Sequence, residues 1–186
     1  MSLGIKMRSN ITPIATHAFV ASESLLIDTN VWLLLYGRQD PSDWRIKVYS
    51  KAFARISAAK CPIYIYALVL SEFINSYSRI EHKLAVAQGG PSIFKRFRES
   101  PEFLPIAQSI ASACRIILKQ CARTESQFES ANIEAILKDY AAASRDFNDQ
   151  ILSHICRVKN LKMITDDADF EHLDIPVFTA NRRLLH

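Results

Sequence analysis

Glycine is scarce in this sequence, with four among 186 residues, and proline contributes only seven. So few chain-breaking residues exclude a collagenous or linker-rich polypeptide, and no repeat or low-complexity tract is present. Hydrophobic residues make up 49% and charged residues 23%, which supplies a sizeable core and excludes disorder as the dominant state. No stretch approaches the roughly 20 unbroken apolar residues of a membrane span. The N-terminus also lacks an apolar signal core ending in a small-residue cleavage site. These absences lead to the expectation of a cytoplasmic protein with no membrane partner. The four cysteines, Cys61, Cys114, Cys121 and Cys156, form no CxxC pair and lack the histidine spacing of a structural zinc site, so buried reduced thiols are expected. Charge of one sign does not dominate: 23 − 19 gives +4, which permits a polyanionic partner without demanding one.

What is present is an alternation of short apolar runs with longer stretches of helical period, the order of an α/β domain around a mainly parallel sheet. The length is slightly more than one typical domain of about 150 residues, so one domain with an insertion is expected. Residues 1–20 read as an N-terminal extension and 21–186 as the domain. Leu25-Leu26-Ile27 is a buried-strand candidate that stops at Asp28-Thr29-Asn30, a trio suited to a turn and helix start, and an apolar helix from Val31 to Tyr36 ends at Gly37. From Asp43, Trp44, Val48, Ala52 and Ile56 recur every four residues as a second amphipathic helix; Trp32 and Trp44 are both expected in the core. Ile63, Ile65 and Ala67 lead as a strand into Leu68–Leu70, with Ser71 as N-cap and Glu72 in the first turn of a helix that ends at Gly89-Gly90-Pro91. A helical insertion is expected over about 91–130. Another helix follows over Ser130–Ala143, then one from Phe147 to Lys159 and a strand Leu161–Ile164 ending at Thr165. Ile175-Pro176-Val177-Phe178 bears a proline and reads as an edge strand.

Acidic residues recur where strands end, which is where open parallel sheets bind ligands. Asp28 follows the first strand, Glu72 the second, Asp149 lies in the first turn of a helix, and Asp167 follows the late strand. Four ionised carboxylates within about 6 Å of each other repel and raise one another's pKa unless a cation neutralises them. A hard divalent ion, Mg²⁺ or Mn²⁺, suits an all-oxygen donor set and keeps waters, one of which can attack a phosphodiester. Metal-dependent phosphodiester hydrolysis is the reaction class that follows.

Leu26-Ile27-Asp28-Thr29-Asn30-Val31, Leu70-Ser71-Glu72-Phe73, Asp146-Phe147-Asn148-Asp149-Gln150-Ile151-Leu152 and Ile164-Thr165-Asp166-Asp167-Ala168-Asp169-Phe170 occur in an order that resembles the PIN-domain nucleases, including the VapC-like toxin ribonucleases. The resemblance spans residues 25–170. It implies a PIN-like three-layer α/β sandwich with a central mainly parallel sheet, here with an added helical insertion, and a ribonuclease using Mg²⁺ or Mn²⁺. Asp28, Glu72, Asp149 and Asp167 match the family acids in order, with Asn30 and Thr165 at accessory polar positions. Asp28 and Asp149 are assigned as main metal ligands, Glu72 and Asp167 as holders of metal-bound waters or a second ion, Thr165 as holder of the attacking water and Asn30 as orienter of Asp28 or a phosphate oxygen. Asp146 and Asp166 adjoin these acids, so the count stands between four and six. The expected partners are an RNA substrate, an antitoxin protein and a second copy in a homodimer. The chain is longer than a compact toxin of this family, and the region 91–127 accounts for the excess.

Each residue has a plainer reading. Asp28 and Asp146 suit helix N-caps, Glu72 suits a helix dipole, and Asp166, Asp167 and Asp169 suit a solvated turn. Four independent caps falling at one sheet edge in the family's order is the less economical account. Lys95, Arg96 and Arg98, with Phe94 and Phe97, are candidates for contacting RNA phosphates and stacking a base, or form a solvated helix face over buried aromatics. His82, His154 and His172 have no mutual metal-ligand spacing. A non-catalytic RNA- or partner-binding module on the same fold remains the alternative function. A phosphatase of haloacid-dehalogenase type is disfavoured because Asn30 stands where its chemistry needs a second Asp.

Overall fold

Three-residue apolar runs that end in polar residues set the frame. In the computed structural model, which describes residues 10–38 and 40–185, six short strands form one sheet. They are Ile11–Pro13 (β1), Leu25–Ile27 (β2), Ile63–Ile65 (β3), Ala122–Arg123 (β4), Lys162–Ile164 (β5) and Val177–Thr179 (β6). Their order is β1-β6-β5-β2-β3-β4, and every pairing among them is parallel. Helices cover both faces: Thr29–Tyr36 (α1), Trp44–Ala58 (α2), Ala67–Ala87 (α3), Phe94–Arg98 (α4), Phe103–Gln120 (α5), Ile133–Ala141 (α6), Phe147–Val158 (α7) and Arg182–Leu185 (α8). Because both faces are covered, β2 and β6 are buried at every position, the pattern of a parallel sheet rather than an alternating one.

From β2 the chain winds outward through β3 to β4, then returns by α6 and α7 to place β5 on the other side of β2. The direction of winding therefore reverses between β2 and β5, which opens a crevice at their carboxyl ends. Ile27 pairs with Ile164, so the next residues, Asp28 and Thr165, lie side by side at that crevice.

Several elements differ from the sequence-based expectation. Within the segment 1–20 expected as an N-terminal extension, β1 belongs to the sheet, pairing with β6 in register Ile11 to Val177; residues 1–9 lie outside the described residues. That pairing makes β6 an interior strand rather than an edge. Pro176 is tolerated because it precedes the strand, where only its carbonyl is used, accepting from Met163 N at 2.8 Å. The segment Ala67–Leu70 continues no strand. It is the first turn of α3, capped by Tyr66 without a side-chain bond, so Ser71 is not an N-cap and Glu72 sits in the second turn. A short apolar run is ambiguous by periodicity, and Ala and Leu favour the helix once the β-branched Ile63 and Ile65 are past. The region 91–130 is helical except that α5 ends in β4, two exposed residues that pair with β3 and are too short to leave a pattern.

Trp32 is fully buried, against Tyr36 and Phe53, but Trp44 is 48% exposed. The four-residue spacing explains the error. An α-helix turns 3.6 residues per cycle, so a stripe of period four drifts by about 40° at each step. By Ile56 the buried face, which carries Tyr49, Ala52 and Ile56, has left Trp44 behind. Cys61, Cys114 and Cys156 are buried, Cys121 is half-buried, and all four are free thiols.

Leu26, at 0% exposure in β2 between β3 and β5, is part of the buried hydrophobic core. Leu26→Ala is expected to lower unfolding stability by about 2–5 kcal/mol in urea titration. Leu104→Ala, at a residue 63% exposed, should change it by less than about 0.5 kcal/mol.

Candidate active site

Asp28 leaves β2 and caps α1, its Oδ1 accepting from Thr29 N at 2.7 Å. Its Oδ2 accepts from the Thr165 hydroxyl at 2.7 Å and from Asn30 Nδ2 at 2.6 Å. Asn30 also donates to Thr165 Oγ1 at 3.1 Å, while its Oδ1 accepts from Asp166 N at 3.0 Å. Asp167 N closes the circuit by donating to Thr165 Oγ1 at 3.0 Å. Thr165 is completely buried and its hydroxyl is fully engaged. It therefore holds Asp28 and the turn at Asp167 in place; the sequence-based assignment of an attacking water to it does not fit this geometry. Asn30 thus bonds both Asp28 and Thr165.

Glu72 reaches the same region from α3 and accepts from Thr29 Oγ1 at 3.2 Å. Thr29, which sequence reasoning passed over, thereby ties α1 to α3, and it also donates to Val69 O at 3.3 Å. Asp149, one turn into α7, projects from a third direction, and Asp167 caps the 3-10 turn Ala168–His172 through Asp169 N. Asp146 is the N-cap of α7, accepting from Asn148 N at 2.7 Å. Asp146, Asp149 and Asp169 line an open cleft of about 660 Å³ that is walled by the α6–α7 connection and by Arg145.

The electrostatics show which acids share a site. Burial raises Asp28 to a pKa of about 6, with Glu72 and Asp167 adding repulsion. Its hydrogen bonds from Thr165 and Thr29 act the other way and are outweighed. Asp149 is pushed to about 7 by burial and then by Asp28, Asp146, Asp167 and Asp169. Glu72 is raised by burial, Asp146 and Asp167, against the bond from Thr29. Asp28 thus interacts with Glu72, Asp149 and Asp167, and the charges of Asp146 and Asp167 bear on both Glu72 and Asp149.

Asp166 does not join them. Its carboxylate turns to the far side of the loop, where Arg45 donates at 2.9 Å and the Tyr49 hydroxyl at 2.8 Å. The expectation that it was a further metal ligand gives way to a neutralised, loop-fixing role. Lys95, Arg96 and Arg98 are also not brought to the acids. They lie on α4, which packs through Phe94 and Phe97 against His82, ten residues or about 15 Å along α3 from Glu72. His154 is bonded to Ser130.

Tyr66 is the residue the sequence reading missed altogether. It is 4% exposed, its hydroxyl has no hydrogen-bond partner among the described residues, and its pKa is raised by burial, then by Cys156, Glu72, Asp28 and Asp149. An orphaned phenol within reach of three acids is the kind of buried polar group that a further ligand satisfies. Its signal was its place at the carboxyl end of β3, hidden when that strand was run on to Leu70.

The donor set fits a hard divalent cation: all-oxygen, anionic, and repulsive without one. Among the described residues, no group of three or more acidic, histidine or cysteine side chains is arranged so that it could hold a metal ion. Mg²⁺ needs few direct protein ligands, since it keeps several of its waters. A family model for the PIN domain matches residues 25–176, which is most of the chain and all four acids. The chain belongs to the PIN-domain family. PIN domains are generally metal-dependent nucleases, and Asp28 of this one follows β2 at the sheet's switch point. Comparison with curated proteins found no match. Among the described residues, no helix of this PIN domain is long and apolar enough to cross a membrane.

The raised acids give stability a defined pH dependence. Asp28 and Asp149 keep protons in the folded chain at pH values where the unfolded chain, with Asp near 3.9, has lost them. Their contribution to stability therefore falls as pH rises from about 4 to about 7. In EDTA, Asp149→Asn is expected to raise Tm relative to wild type more at pH 8 than at pH 5; an equal difference at both would refute the coupling. Thr165→Val removes the hydroxyl that holds Asp28 and should lower turnover about tenfold to a hundredfold, with Thr165→Ser restoring it in single-turnover assays.

Proposed function

We propose that this PIN domain is an endoribonuclease that hydrolyses RNA phosphodiester bonds with Mg²⁺ or Mn²⁺, and that it acts as the toxin of a toxin–antitoxin pair. The observation that supports the reading is the surroundings of Asp28: it lies beside Thr165 at the carboxyl ends of β2 and β5, and its carboxylate interacts with those of Glu72, Asp149 and Asp167. Asp28 and Asp149 would hold the metal, with Glu72 and Asp167 holding its waters or a second ion. When bound, the metal supplies an activated water and charge stabilisation at the leaving oxygen.

The chain's own part is positioning. Thr165, Asn30 and Thr29 N fix both oxygens of Asp28, so its orientation is set before any ligand arrives. Thr29 sets Glu72 against the same crevice. The cleft beside Asp149 is wide enough to admit a nucleotide, and Arg145 on its wall, which also pairs with Asp139 at 3.5 Å, adds positive charge where a phosphate would approach acids of like sign. An antitoxin would act by covering this cleft or its approaches, and a homodimer would extend the substrate surface.

A divalent-metal titration tests the reading. Cleavage of a labelled RNA is expected in Mg²⁺ or Mn²⁺, absent in EDTA, and abolished by Asp28→Asn or Asp149→Asn with the circular dichroism spectrum retained. Asp166→Asn should leave measurable cleavage, since Asp166 faces Arg45. Activity that survives EDTA would reject metal dependence, and RNA binding without turnover in any divalent ion would favour the non-catalytic module.

A further inference from the structure

The basic charges of α2 are set in a row. α2 carries Arg45, Lys47, Lys51 and Arg55 and no Asp or Glu. At 100° per residue, Trp44, Lys47, Lys51 and Arg55 fall within about 80° of one another on a face separate from the buried stripe of Tyr49, Ala52 and Ile56. The row runs about 16 Å along the helix. Lys47 and Lys51 are exposed, and among the described residues neither they nor Arg55 are in an ion pair. Beside them lies a cavity of about 290 Å³ lined by Ala15, Lys47, Val48, Lys51 and Arg55. Arg55 donates to Ile14 O at 2.6 Å through Nη2, but its Nε is buried with no acceptor, an unmet donor in the cavity wall.

At the helix start the row meets an aromatic platform. Trp44 is half exposed and Arg182 of α8 lies over its ring, 5.3 Å from the centroid. The neighbouring residue, Arg45, bonds Asp166 of the loop that also carries Thr165 and Asp167. Asn181, next to Arg182, donates to Asp166 O at 2.6 Å. The basic row is thus continuous with the loop that bounds the acidic crevice.

We infer that the α2 face from Trp44 to Arg55, with Arg182, is the binding track for the single-stranded RNA backbone that leads into the acidic crevice, with Trp44 stacking a base and Lys47, Lys51 and Arg55 engaging phosphates. This rests on the nuclease reading for its substrate class. The physical logic is division of labour: acids at the cleavage point repel phosphate, so affinity must come from cations set to one side of it. Stacking on Trp44 is tolerant of sequence because every base offers a π-face.

The test is binding of a fluorescein-labelled single-stranded oligoribonucleotide to the full chain in EDTA, followed by anisotropy across a salt series. Lys47→Gln/Lys51→Gln is expected to weaken binding roughly tenfold and to reduce the slope of log affinity against log salt by about 1.4. Trp44→Leu should weaken it about tenfold with the slope unchanged, and should remove the quenching of intrinsic fluorescence that RNA causes in the wild type. Lys95→Gln/Arg96→Gln on α4, which removes the same charge elsewhere, should change neither. Unaltered affinity and slope in the α2 variants would overturn the track, as would an equal loss from the α4 pair or no RNA binding by wild type. Cleavage assays in Mn²⁺ keep the two readings apart. Active α2 variants with wild-type affinity sink the track alone, whereas weakened α2 variants of a protein that never cleaves sink the nuclease alone.

Discussion

Carboxylates that repel one another must be held together by something other than themselves, and here the restraint is the parallel pairing of β2 with β5. Register fixes Ile27 against Ile164, and the residues that follow inherit that alignment. Asp28 and Thr165 then join through a 2.7 Å bond that no side-chain rotation alone would guarantee. Removing Asp28 from water disfavours its charge, and the helix cap and hydroxyl bonds recover only part of that. The balance left over is a site that favours binding either protons or a cation.

Around this centre the polar groups are sorted by sign. Asp166, adjacent in sequence to two site residues, is neutralised by Arg45 and Tyr49 and so adds nothing to the repulsion. Tyr49 also accepts from Ala180 N, and Asn181 holds Asp166 O, so the loop from Thr165 to Asp167 is clamped from α2 and from the segment after β6. The same helix that neutralises Asp166 turns its remaining cations outward. An acidic crevice with a basic flank is the arrangement expected where a polyanion is gripped at one place and cut at another.

Much of this was legible in the sequence. Leu25–Ile27 followed by Asp28-Thr29-Asn30 marked a strand, a turn and a helix start, and the acids at strand ends marked one edge of a parallel sheet. Less legible were features that depend on contacts distant in sequence. Nothing in Asp166 itself distinguishes it from Asp167; only Arg45 and Tyr49, more than a hundred positions away, do so. Trp44 satisfied a period of four but not the true helical pitch. Ala67–Leu70 lacked any polar residue to signal where β3 stopped, and that displaced Glu72 by a turn and hid Tyr66. β4 was too short to carry a pattern, and Val177–Thr179 read as an edge because its outer neighbour lies at the opposite end of the chain.

That last pairing has a bearing on biosynthesis. Ile11–Pro13 leaves the ribosome well before Val177–Thr179, its sheet partner among the described residues. Until the later segment is translated, the early one has no edge to join, and β5 likewise waits to be flanked. Sheet closure is therefore a late event in the life of the nascent chain, and premature termination upstream of Val177 leaves a polypeptide with an exposed strand edge, a natural target for quality-control proteases.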